Sequence, residues 1–313
     1  MKVKALSFSK GEVNLVEVEV PKIGDDEVLI QTKCCGICKS DINFYLGKLG
    51  GPEGVRGHEG TGTVVEVGRM VKQIKSDDKV TSLGGPAFAE FYKTNHRNVA
   101  KIPDDIEEFE FWISEPLACV VNGIRGSGIQ IGDNVCVIGC GYMGLLLIQA
   151  MPKNILNNLT AIDINNNRLA LSEKFGAENT INPDKEDPIN ETRKIIHGEY
   201  DVVIESAGLP GTIDLATKLT RQGGNLIIFG YHVSEETVPV NSWHTKGLNV
   251  LHISPNFSKN FNKDFHDAVK LLNKGTFNQR PLITHRASHH EAEKIFKVAV
   301  KKPDDYIKGV ITF

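Results

Sequence analysis

No apolar run in this chain approaches the roughly 20 residues a helix needs to cross a bilayer, so no membrane segment is read in it. Nor is there an excess of positive charge: 36 Lys and Arg stand against 39 Asp and Glu, a net charge of −3. Without a basic stripe, nucleic acid is not an expected partner. The opening residues, MKVKALSFSKGEVNL, carry lysines but no continuous apolar core behind them, and no secretion signal is read there. Cysteine occurs only six times in 313 residues, too sparsely for a disulfide scaffold, and a reducing cytoplasm is the expected setting. Repeats and low-complexity segments are missing too. What is present is the balance of an ordinary globular chain, 40% apolar and 24% charged, long enough for two domains.

The first hundred residues read as β-structure. MKVKALSFS and EVLIQTK alternate, and TGTVVEVG is rich in β-branched residues. ISEPLACVVNGIRGSG then reads as a helix with Pro116 in its first turn. After it, apolar strands (NVCVI, LTAIDI, YDVVIESAG, GNLIIFGY) alternate with helices such as NNRLALSEKFGA, which predicts a parallel sheet covered on both faces. The tail carries two helix patterns, DFHDAVKLLNKG and HEAEKIFKVAVKK, and a last strand, KGVITF. The expected class is α/β: a β-rich domain over 1–120, a doubly wound domain over 121–258, and a return to the first over 259–313.

GCGYMG, residues 139–144, fits G-x-G-x-x-G after an apolar strand and at the start of a helix, the context that pattern requires. Gly139 permits the tight turn, Gly141 lets backbone approach a pyrophosphate, and Gly144 allows close packing of helix on strand. Tyr142 and Met143 complete the turn. Asp163 ends the next strand, where a carboxylate can accept from ribose hydroxyls and repel a 2′-phosphate; this favours NAD over NADP, with Arg168 the one nearby cation that opposes it. The plainer alternative is a helix-packing turn with no nucleotide.

Cys34, Cys35 and Cys38 lie within five positions, but no cysteine follows until Cys119, so a four-cysteine knuckle has no second pair. A redox pair would open a helix in a βαβ unit, whereas this group ends a strand. Cys38, then His58 and Glu59 in GHEGTG, then Glu115 in SEP, instead offer one thiolate, one imidazole and carboxylates. Such a mixed set suits a catalytic zinc with an open position. Taken singly, each residue has an ordinary reading as packing or a surface turn.

CGICKSD, GHEGTGTVVEVG, SEPLACVVNGI, VIGCGYMG and YIKGVITF occur in the order found in the zinc-dependent medium-chain dehydrogenases, which essentially the whole chain resembles. A glutamate in place of a third cysteine makes it similar to sorbitol and other polyol dehydrogenases. The resemblance implies a GroES-like catalytic domain and a Rossmann domain with the site in the cleft between them. It implies Cys38 and His58 as zinc ligands. Of Glu59 and Glu115, one would bind directly while the other binds or orients metal-bound water, without telling which. Cys34, Cys35 and Cys119 are expected to pack. It further implies a homo-oligomer, dimer or tetramer, acting on a small-molecule alcohol or ketone.

Two departures stand out. Relatives often carry a four-cysteine lobe after a GDRV-like segment; here DDKV runs through TSLGG to PAFAEFYKTN without a cysteine, so one zinc per chain and no structural zinc are expected. Relatives also place a proton-passing histidine where this chain has Asn43, and an amide does not titrate near neutral pH. Ser40 keeps the hydroxyl that would meet the substrate oxygen. The expected reaction is hydride exchange between a secondary alcohol and NAD, with zinc as Lewis acid. Lys39, Asn43 and Arg286 would suit a polyol, sugar or cyclitol, the plainer reading of each being an ordinary surface or turn residue. Phe44 and Phe88 would form an apolar wall, although aromatics in a β-rich half are more often core. The competing readings are a zinc-free NADPH-dependent quinone or enoyl reductase on the same fold, and a non-catalytic nucleotide-binding or redox-sensing protein.

Overall fold

Alternation and β-branching make the start of the chain a set of strands. The computed structural model describes residues 1–9, 11–50 and 53–313. The first part supplies β1 (Lys2–Ser9), β2 (Glu12–Glu19), β3 (Glu27–Gly36), a short helix α1 (Lys39–Tyr45), β4 (Gly54–Val55) and β5 (Gly60–Val67). β6 (Lys79–Ser82), β7 (Phe91–Asn95) and β8 (Val99–Lys101) complete it, and α2 (Glu115–Gly126) comes next. Then come β9 (Asn134–Ile138), α3 (Tyr142–Ala150), β10 (Asn158–Ile162), α4 (Asn166–Lys174), β11 (Asn179–Ile181), α5 (Pro188–Ile196) and β12 (Tyr200–Glu205). α6 (Thr212–Leu219), β13 (Thr220–Ile228), α7 (Val240–Lys246) and β14 (Asn249–His252) carry the alternation on. α8 (Phe261–Asn273), β15 (Ile283–Ser288), α9 (Ala292–Lys301) and β16 (Lys308–Thr312) end the chain.

These elements form two units, Met1–Ala118 with Phe265–Phe313, and Cys119–Asp264. The first holds a three-stranded sheet, β2-β1-β4, and a seven-stranded one in the order β15-β16-β3-β5-β6-β8, with β7 also on β3. Its core is partly aromatic: Phe8, Phe88 and Phe296 are all fully buried, with ring centroids 5.1–6.1 Å apart. α9 presents Ala292, Ile295, Phe296 and Ala299 to that core, an i, i+3, i+4, i+7 stripe. Emptying the Phe296 position to alanine should cost about 3–5 kcal/mol.

The register of β3 places three distant segments side by side. This strand is central, with β5 antiparallel on one side (Cys35 opposite Gly60) and β16 antiparallel on the other (Val310 opposite Gly36). The end of β3 therefore lies beside the beginnings of both neighbours.

The second unit is a six-stranded sheet in the order β11-β10-β9-β12-β13-β14, parallel throughout. β10 is buried along its whole length, as a strand covered on both faces should be. Its order is that of a doubly wound Rossmann sheet, with the reversal of direction between β9 and β12. Among the described residues no helix is long and apolar enough to cross a membrane.

Candidate functional site

The residue after Ile37 caps α1, and it is Cys38. Its backbone N–H donates to Asp41 Oδ2 at 2.9 Å, so the side chain of the third helical residue reaches back to fix the turn. His58 and Glu59 immediately precede β5, and the Glu59 carbonyl accepts from Gly36 N at 3.1 Å. The antiparallel register thus brings Cys38, His58 and Glu59 together, with ligand atoms all within 4.8 Å of one another. It is the one such grouping of His, Cys, Asp and Glu among the described residues.

The sequence reading missed Lys308. It opens β16 and places Nζ 2.8 Å from Glu59 Oε1 and 2.6 Å from Oε2, with both side chains buried. The contact to Oε2 is close but poorly aligned, and that oxygen has no hydrogen-bond donor. The signal was available: a lysine in an otherwise apolar strand needs a partner if it is buried. Gly36 makes room for the pair, since a Cβ there would collide with Glu59 Oε2 and crowd Lys308.

Glu115 lies outside the 4.8 Å trio yet within electrostatic reach of it. Burial holds its carboxyl above the ordinary value, with His58 opposing and Glu59 adding to the rise. For His58, burial works against the charged form, but the hydrogen bond to Cys38 and the negative charges of Cys38, Glu115 and Asp41 outweigh it and raise the imidazole well above its usual value. Asp41 itself is pushed up by burial; its Oδ1 is 3.9 Å from His58 Nδ1. Thiolate, imidazole, carboxylate and an acceptor oxygen lacking a donor fit a divalent cation of zinc type.

The remaining expectations divide. Lys39 and Ser40, half-buried, open α1 next to Cys38. Asn43 is buried on the same helix, and its Nδ2 has no hydrogen-bond partner. Phe44 is buried beneath the Arg56 guanidinium, 3.6 Å from the ring centroid. Phe88 is a correction: with no exposed surface and rings of Phe8 and Phe296 against it, it fills the core and cannot line a substrate wall. Arg286 is engaged elsewhere, its Nε 2.8 Å from Glu110 Oε1 and its guanidinium over Phe111. Cys34 and Cys35 are buried free thiols, both raised by burial. Cys119 is half-buried in the second unit and is in no disulfide.

In that unit the glycine turn leaves β9 and enters α3. Gly139 has φ +94° and packs on Ala207, where a Cβ would collide. Gly144 stands so close to the Gly139 carbonyl that no side chain fits. At Gly141 a Cβ would meet nothing within 4 Å. The helix that starts at Tyr142 has Gly141 at its N-cap and no side-chain cap. Tyr142 is buried and Met143 half-buried. Open space at Gly141, at a helix N-terminus without a side-chain cap, fits a pyrophosphate. Asp163 is buried at the end of β10 and already holds the turn: Oδ2 accepts from Cys140 N at 2.7 Å and Oδ1 from Asn165 N at 2.8 Å. A carboxylate has further lone pairs for a ribose. Arg168 sits in the first turn of α4, near enough to act on the Cys140 thiol.

Comparison with known proteins points one way. Residues 24–104 match the alcohol dehydrogenase GroES-like domain and residues 143–274 the zinc-binding dehydrogenase domain. L-threonine 3-dehydrogenase of Bacillus velezensis is 30% identical, over 92% of this chain and 92% of its own. Sorbitol dehydrogenase 1 of Saccharomyces cerevisiae is 28% identical, over 96% and 95%. Among solved structures, a protein of Sinorhizobium meliloti 1021 described as a zinc-binding dehydrogenase, bound to NADP, matches with a TM-score of 0.88 at 25% identity, covering 100% of both chains.

Proposed function

Because the chain belongs to the zinc-type medium-chain dehydrogenase family, oxidoreductases of the alcohol dehydrogenase type, we propose that it interconverts a secondary alcohol and its ketone with NAD and one zinc per chain. The convergence of Cys38, His58 and Glu59 within 4.8 Å carries this reading. These three would hold the metal, with Glu115 as the further carboxylate. Bound there, zinc supplies a Lewis acid that makes a substrate hydroxyl more acidic. Lys308 orients Glu59 and offsets its charge, and Asp41 fixes the turn that presents Cys38. The Ser40 hydroxyl takes the proton from the substrate oxygen and passes it on. Asn43 cannot accept it, so release runs through water. Gly139, Gly141 and Gly144 would shape the seat for the pyrophosphate of a dinucleotide, which would supply the hydride chemistry.

The Asp163 carboxylate at the end of β10 supports NAD over NADP. The absence of cysteine between 39 and 118 supports a single zinc. Hydroxyl-rich substrates suit this reading, as two relatives are named for a polyol and a hydroxy amino acid. The test joins metal analysis to a panel of polyols, sugars, cyclitols and secondary alcohols with NAD and NADP, tracking reduced-cofactor absorbance. About one zinc per chain with NAD-linked oxidation is the expected result. Metal-free protein that reduces quinones or enones with NADPH would overturn it.

A further inference from the structure

A second charged cluster lies in the Rossmann unit, and the glycine turn does not account for it. Glu205 closes β12 with no exposed surface. Its Oε1 accepts from Ala207 N at 2.9 Å, Gly208 N at 2.8 Å and Thr212 Oγ1 at 2.8 Å. Its Oε2 lies 2.9 Å from His232 Nε2, and the other ring nitrogen lies 2.5 Å from Glu236 Oε1. The imidazole thus lies between two carboxylates, hydrogen-bonded to Glu205 and in close but unaligned contact with Glu236. Gly230 is bare beside it because a Cβ would strike the Glu205 carboxylate and the Gly208 backbone. Tyr231 and Val233, on either side of His232, are 42% and 38% exposed, whereas the His232 side chain is 13% exposed. Within the loop over residues 229–239, His232 turns inward while Tyr231 and Val233 face out, and the Phe229 and Gly230 amides also donate to the Glu205 carbonyl.

Register fixes where the loop stands. Glu205 is opposite Ile138 of β9 and Ile228 of β13, so Gly139, Ser206 and Phe229 leave the sheet side by side. The strand order reverses between β9 and β12, the point over which a dinucleotide lies along the carboxyl edge. Asp163, on β10, marks the adenosine side; the opposite half extends over β12 toward β13. Resting on the dinucleotide reading, we propose that His232, clamped by Glu205 and Glu236, is a positioning residue that fixes the 229–239 loop as part of the nicotinamide half-site. Tyr231 and Val233 are the side chains it presents.

Calorimetric titration of the full-length protein with NADH and with ADP-ribose, which lacks the nicotinamide, tests this. If the wild type prefers NADPH, that cofactor and its 2′-phospho-ADP-ribose fragment form the pair. His232→Gln should weaken the whole dinucleotide about tenfold, the loss expected for one charged hydrogen bond, while the fragment changes less than about twofold. Glu236→Gln, a milder change at the rim, should shift the same ratio about threefold in the same direction and carries the test if the first variant does not fold. Equal weakening of both ligands, or no change in either, overturns the inference and leaves the cofactor reading standing. Wild-type protein that binds neither ligand overturns both.

Discussion

The metal trio and the glycine turn are built on opposite plans. In the first unit the candidate chemistry consists of side chains delivered by separate segments: Cys38 after β3, His58 and Glu59 before β5, Lys308 at the start of β16. In the second it consists of backbone from one contiguous turn, shaped by what Gly139, Gly141 and Gly144 leave out. A site of the first kind is undone by changing one ligating atom. A site of the second kind is undone by adding a methyl group, and the effect depends on which way that methyl points.

That contrast sets the experiments. The largest effect should come from Cys38→Ser, which removes the soft ligand: zinc content should fall toward zero by elemental analysis, and turnover by ~10⁴ or more. Full zinc occupancy in that variant would remove the trio from consideration. In metal-free protein, Lys308→Met leaves Glu59 as a buried carboxylate without a cation and should destabilise it by about 3–5 kcal/mol in urea unfolding. A loss under about 1 kcal/mol would mean that the pair does not hold the centre together. Gly144→Ala forces a methyl against the Gly139 carbonyl and should cost about 1–3 kcal/mol along with dinucleotide binding. Gly141→Ala places its methyl in open space and should leave stability within about 0.5 kcal/mol, yet weaken NADH binding tenfold or more. If the two alanine variants behave alike, the turn is a packing device only. The smallest effect belongs to Asn43→His, which should alter kcat/KM by only a few fold but add an ionisation near neutral pH to its profile. An unchanged profile would count against a relay at this position.

The same contrast explains what could be read from the chain before its structure. The glycine turn was visible because its determinants are adjacent: VCVI, three glycines and LLLIQAM stand in one line of sequence. β10, α4, α9 and β16 were equally plain from their periodicity. The metal trio was legible only through the order of motifs, because nothing local says that residue 38 meets residue 58. α1 is seven residues long, too short for a period to show, though Asp41 in the capping position was a signal. Lys308 was passed over as an ordinary strand residue, since its burial depends on a partner 249 residues away. Phe88 stays open between wall and core in the sequence because aromatic character alone does not distinguish a lining from a core, and its burial decides for the core. The His232 cluster joins a loop to a strand end 27 residues back and has no periodic signature.

The pairing of β16 with β3 also bears on how the protein is made. A ribosome emits the Cys119–Asp264 unit whole, and it can fold as it emerges. In the earlier unit β7 can cover Glu27–Gln31 of β3, but its end at Cys34–Gly36 must wait uncovered until residues near 308 arrive. Through most of synthesis a partly assembled sheet therefore shows an open edge, the kind of surface on which nascent chains stick to one another.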